Sequence, residues 1–99
     1  MFQMKVRETV LVEGKMYSVE VDVDVKDNYP WITTVNINGK QFGPMLMKNY
    51  PTNKEEEGIV FEVFADKKDR REYCEYAVNN TFVVLQSGKR VRAVDFYEL

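Results

Sequence analysis

From Tyr17 to Val25 the chain alternates without a fault: Tyr17, Val19, Val21, Val23 and Val25 are apolar, and Ser18, Glu20, Asp22 and Asp24 between them are polar. Period two predicts a strand with one face on a core and one face in water. A second run, Lys5 to Val12, precedes it, and Glu13-Gly14 lies between the two. Glycine tolerates the positive φ that tight hairpin turns require. A two-residue loop at Glu13-Gly14 sets Lys5 opposite Asp22, Arg7 opposite Glu20, Thr9 opposite Ser18, Val10 opposite Tyr17 and Val6 opposite Val21. Opposite charges and like shapes then meet across the ladder. A slip of one residue sets Glu8 against Glu20 and mixes apolar with polar positions, so this register is favoured.

The same turn chemistry recurs at Asn38-Gly39-Lys40 and Ser87-Gly88-Lys89. Around Asn38-Gly39, Val35 is expected to face Phe42 and Trp31 to face Leu46, with all four pointing inward. Gly43-Pro44 lies inside the return strand, where proline cannot donate to a ladder, so that strand is an edge or is bulged. Around Ser87-Gly88 the pattern predicts Thr81–Gln86 pairing with Lys89–Tyr97. Phe82 and Val84 then face Ala93 and Val91, with Val83 and Leu85 opposite Arg92 and Arg90. The alternation changes phase between Ala93 and Val94, which a β-bulge would explain. The turns are unevenly spaced and the residues after them differ, so they share chemistry and are not a duplicated module.

Residues 48–58 have no apolar period and read as a loop. Ile59-Val60-Phe61-Glu62-Val63-Phe64 reads as a further strand. The texture then changes. Asp66 resembles an N-cap, with Asp69 three residues on. Tyr73, Cys74, Ala77 and Val78 recur at helical spacing, with Arg70, Arg71, Glu72 and Glu75 on the other side. A short amphipathic helix over about 67–78 is predicted, ended by Asn79-Asn80; a strand over Tyr73–Val78 is the competing reading. The fold class is α+β: antiparallel hairpins forming a curved sheet or partly open barrel, with one short helix before the last hairpin and a single domain over 1–99.

Composition narrows the function classes. Ninety-nine residues, 44% hydrophobic and 30% charged, suit a folded domain with a modest core. A net charge of −2 gives no global pull toward nucleic acid. One cysteine, Cys74, precludes an intramolecular disulfide. No apolar run approaches a membrane span and no secretory leader is visible, so no membrane and a cytoplasmic setting are expected.

There is no histidine, which removes the side chain best suited to proton transfer near neutral pH. Cys74 has Arg70 and Arg71 within helical reach, but a free cysteine more often packs as a small apolar residue. Zinc would need more Cys or His. Asp22, Asp24, Asp27 and Asn28 are the densest oxygen cluster, and the register sets Lys5 beside Asp22, which favours a solvated face. The phosphate-loop pattern is absent, because Met16, Gln41 and Arg90 follow the three lysines and strands follow each turn. No catalytic residue, cofactor or metal is expected.

Two binding readings remain. In the first, the protein recognises another protein through an edge strand and the 48–58 loop. Met45, Met47, Tyr50 and Pro51 supply adaptable and aromatic contacts, and strand addition supplies the mode. A small phage or bacterial inhibitor, regulator or accessory factor would suit this shape, and the final hairpin offers a route to a homodimer. In the second, single-stranded nucleic acid binds the basic C-terminal third through Lys89, Arg90, Arg92, Arg70 and Arg71. The element order there resembles the oligonucleotide-binding barrel in order alone.

Overall fold

The first hairpin closes on the residues that its turn geometry demands. In the computed structural model, which describes residues 2–25, 32–46 and 67–99, Glu13 and Gly14 both take positive φ, 52° and 81°. Two consecutive positive φ values give the turn whose twist matches that of the flanking strands. Strands β1 (Phe2–Val12) and β2 (Lys15–Val25) pair antiparallel, with Lys5 opposite Asp22, Val6 opposite Val21, Arg7 opposite Glu20, Thr9 opposite Ser18 and Val10 opposite Tyr17, as predicted. Arg7 Nε donates to Glu20 at 2.6 Å, and Lys5 lies 3.3 Å from Glu20 and 3.7 Å from Asp22. Burial raises the Glu20 pKa, but the hydrogen bonds from Lys5 and Arg7 outweigh it and the carboxyl ends below its usual range.

Strands β3 (Ile32–Ile37) and β4 (Lys40–Leu46) turn at Asn38 and Gly39, again both at positive φ. Asn36 Oδ1 accepts from the Gly39 amide, and Asn38 Oδ1 accepts from the Ser18 amide, which ties this turn to β2. Val35 faces Phe42 as expected, but Leu46 faces Ile32, not Trp31. The register shifts between Thr33 and Val35, opposite Gly43-Pro44, and Gly43 sits at φ 111°. The extra residue of this bulge moves everything beyond it by one position. The sheet order is β1-β2-β3-β4, so the proline-bearing strand is bulged and, among the described residues, at an edge.

The inward row is apolar. Val10, Val12, Tyr17, Val19, Val21, Val23, Val35 and Ile37 are buried. Helix α1 (Lys67–Asn80) covers this face, packing chiefly on β1 and burying Tyr73, Cys74, Ala77 and Val78. It runs two residues past the predicted end. The side chains of Asn79, Asn80 and Thr81 donate to the carbonyls of Glu75, Tyr76 and Ala77, each four residues back. Residues that usually stop a helix here satisfy the orphan acceptors of its last turn.

The last hairpin departs most from expectation. Strands β5 (Phe82–Val84) and β6 (Arg90–Arg92) have three residues each, with Phe82 opposite Arg92, Val83 opposite Val91 and Val84 opposite Arg90. This register is one residue away from the predicted one. The cause is a three-residue loop. Leu85 and Lys89 pair, the Gly88 amide donates to the Leu85 carbonyl, and Gly88 takes φ 86° at the third loop position. The phase change after Ala93 is not a β-bulge. The chain leaves the strand there for a single helical turn, α2 (Ala93–Phe96), which buries Ala93 and Val94. The Ala93 amide donates to the Thr81 carbonyl and anchors that turn beside the end of α1.

Among the described residues the architecture is α+β: a four-stranded antiparallel sheet that does not close into a barrel, the helix α1, a second small hairpin and the helical turn α2. No helix among the described residues is long and apolar enough to cross a membrane. The expected 48–58 loop, the 59–64 strand and the Asp66 cap lie outside the described residues.

Candidate functional site

Strand β4 has a described neighbour, β3, on one side only. Of the residues read from the sequence as partner-binding, Met45 lies on this edge strand, opposite Thr33. Met47, Tyr50 and Pro51 lie outside the described residues.

A cluster of rings sits beside this edge that the sequence reading did not find. Phe42 of β4 and Tyr97 have ring centroids 6.0 Å apart, and Phe96 packs edge-on to Tyr97 at 4.9 Å. Lys40 Nζ lies 4.1 Å above the Tyr97 ring. Phe96 is 46% exposed and Tyr97 43%, so both rings are about half open to solvent, less so than Val84, Leu11 and Met16. Backbone geometry holds them there. The Tyr97 amide donates to the Ala93 carbonyl and the Leu99 amide to the Val94 carbonyl, while Val94 is buried in the core. Lys15 Nζ donates to the Leu99 carbonyl, tying the segment to the first hairpin. The missed signal was the phase break at Ala93-Val94. Read as a helical turn, it turns Phe96 and Tyr97 outward once Ala93 and Val94 go in.

Of the basic residues of the nucleic-acid reading, Arg92 and Arg70 are paired with acids within the fold. Arg92 presents five N–H donors, and five acceptor contacts meet them. Nε reaches Asp95, Nη1 reaches Glu13 and Asn79, and Nη2 reaches Glu13 and Asp95, at 2.8–3.2 Å. These bonds hold the guanidinium protonated, and the Arg92 hydrogen bond pulls the Asp95 carboxyl below its usual pKa. Arg70 Nε pairs with Glu8 at 3.3 Å. Arg90 stacks over Phe82 at 4.1 Å, and Lys89 is exposed. Arg92 meets α1 at Asn79, whereas Arg70 and Arg71 lie near the helix start, roughly 12–13 Å away along the axis.

Cys74 is fully buried. Burial first, and the nearby Glu8 charge second, push its pKa up to about 12 against the opposing pull of Arg70. The thiol is therefore protonated at neutral pH and out of reach of solvent. Among the described residues, no group of three or more Cys, Asp or Glu is placed to hold a metal ion.

No protein-family model, curated protein or solved structure matches this chain.

Proposed function

We propose that this protein binds another protein at the β4 edge, with the Phe42–Tyr97–Phe96 rings as the anchor. The observation that carries the reading is the placement of two half-exposed aromatic rings, one of them under a lysine, beside a strand with a described partner on one side only. Aromatic side chains concentrate binding energy at interfaces, and an edge strand offers main-chain donors and acceptors to a partner strand. Pro44 removes one donor from β4 and the bulge breaks its row, which discourages indiscriminate pairing. A partner would pair with the short stretch Lys40–Phe42 and seat its side chains on the rings. Met45, Met47, Tyr50 and Pro51, read from the sequence as partner-binding, follow that stretch in the chain.

Affinity capture from the native host tests this, using nuclease-treated extract, the unmodified protein, and a Phe96→Ser/Tyr97→Ser variant whose fold is checked by circular dichroism. The expected result is a protein retained by the first bait and lost from the second. Equal retention on both baits, or retention of nucleic acid in place of protein, would overturn the reading.

A further inference from the structure

A second surface lies along the opposite edge of the sheet, where β1 meets the first turn of α1. Arg7, Glu8, Thr9, Ser18, Lys67 and Arg71 line a cleft of about 470 Å³. We propose that this cleft binds the phosphate group of a small phosphate monoester, or inorganic phosphate itself.

The argument starts from donors. Lys67 and Arg71 are four residues apart and so share one face of the helix. Both are exposed, and neither has a hydrogen bond or ion pair among the described residues. Arg7 gives Nε to Glu20, while its two terminal nitrogens have no such bond among the described residues. The one acid in the lining, Glu8, already accepts from Arg70. Thr9 and Ser18 stand directly opposite each other in the register and add two hydroxyls.

Three cations and one carboxylate line the cleft, so its lining carries a net +2 (+3 − 1) in a chain of net charge −2. A phosphate dianion matches that charge, and the cleft at the β1 edge lies between Arg7, Thr9 and Ser18 of the sheet's polar face and Lys67 and Arg71 of the helix. Two guanidinium forks suit bidentate phosphate contacts, and the ammonium adds a point charge. The cleft is open to solvent along much of its length, so an organic group on the phosphate need not be enclosed. The strands hold Arg7, Thr9 and Ser18 and the helix holds Lys67 and Arg71, so the site requires the packed fold and has no counterpart in any short sequence motif.

The test is a ¹H–¹⁵N NMR titration of the full chain with inorganic phosphate and, separately, a nucleoside monophosphate, against sodium chloride at matched ionic strength. The expected result is saturable shifts at Thr9, Ser18 and Arg71 that chloride does not reproduce. Tighter binding of the monophosphate would place the organic group in the cleft; equal binding would assign the site to free phosphate. A Lys67→Gln/Arg71→Gln variant is expected to bind at least about tenfold more weakly, the loss of one or more charge-assisted hydrogen bonds. Lys89→Gln should bind as the unmodified protein does. Shifts linear in concentration, shifts equal in chloride, or unchanged affinity in the double variant would overturn the proposal. A variant spectrum that superimposes on the parent outside the cleft keeps loss of binding distinct from loss of fold.

Discussion

Arg70 and Glu8 join the helix to the sheet edge, and their pairing is a quantitative prediction. The two charges are 3.3 Å apart, with Glu8 10% and Arg70 29% exposed. In an effective dielectric of about 20, their gross attraction is about 5 kcal/mol. Desolvation of both groups and the solvent that still reaches Arg70 offset most of it, leaving a net coupling of about 1–2 kcal/mol. Removing the cation alone is worse than removing both charges, because an enclosed carboxylate is left with less compensation. Arg70→Gln is therefore expected to destabilise by about 1.5–3 kcal/mol, and Glu8→Gln by about 1 kcal/mol. The Glu8→Gln/Arg70→Gln double variant should fall short of the sum by the coupling energy. Urea unfolding followed by far-ultraviolet circular dichroism measures all four corners of the cycle. Arg71, one residue on and exposed, is the control, and Arg71→Gln should stay within about 0.5 kcal/mol of the parent. A coupling below about 0.5 kcal/mol, or an Arg70 loss no larger than that at Arg71, would refute the reasoning.

Ile37 is fully buried in the core, so Ile37→Ala should cost about 2–5 kcal/mol, read as a lower urea midpoint. Burial pushes the Cys74 thiol up to about 12 and encloses it in the core, so thiolate is scarce at neutral pH. Its reaction with a disulfide reagent at pH 7.5 should be far slower than in urea, where it should recover. Gly88 takes φ 86° with open space around it, so Gly88→Ala should cost about 1 kcal/mol through backbone conformation alone, and Gly88→Asn should cost less. Glu20 and Asp95 have lowered folded-state pKa values, so their contribution is present above the ordinary carboxyl range and lost as pH falls through the lower folded values. Thermal melts from pH 5 to 2 should therefore fall more steeply for the parent than for Asp95→Asn.

The fold was legible wherever turn chemistry and side-chain pairing constrained each other. At Glu13-Gly14 the turn allowed one loop length, and Arg7–Glu20 and Lys5–Asp22 agreed with it, so every predicted pair appears. At Ser87-Gly88 no charge pair crossed the ladder to act as a check. A glycine after two polar residues fits a two-residue loop and the third place of a three-residue one equally well, and the structure takes the second. At Gly43-Pro44 the sequence foretold a bulge or an edge but not how far a bulge would shift Leu46. The end of α1 failed for a different reason. Asparagine disfavours helix interiors because its amide competes for backbone bonds, and here those same bonds close the last turn.

The functional surfaces were less legible because each is assembled across the chain. Arg92 reads as a free cation beside Arg90, yet its donors are met by Glu13 of the first turn, Asn79 of the helix and Asp95 of the next turn. A basic run in sequence therefore overstates the charge available to a ligand when the fold supplies acids from elsewhere. The converse holds at the β1 edge. Arg7 sits sixty residues and more from Lys67 and Arg71 in the chain, and no local count of charge joins them, yet packing brings all three to one cleft. The cations Arg7, Lys67 and Arg71 thus line the edge opposite β4, and the rings lie at β4. A partner strand at β4 and a phosphate at β1 would occupy opposite edges of one sheet. Binding at either should leave the other surface intact, so Phe96→Ser/Tyr97→Ser should not change the phosphate titration.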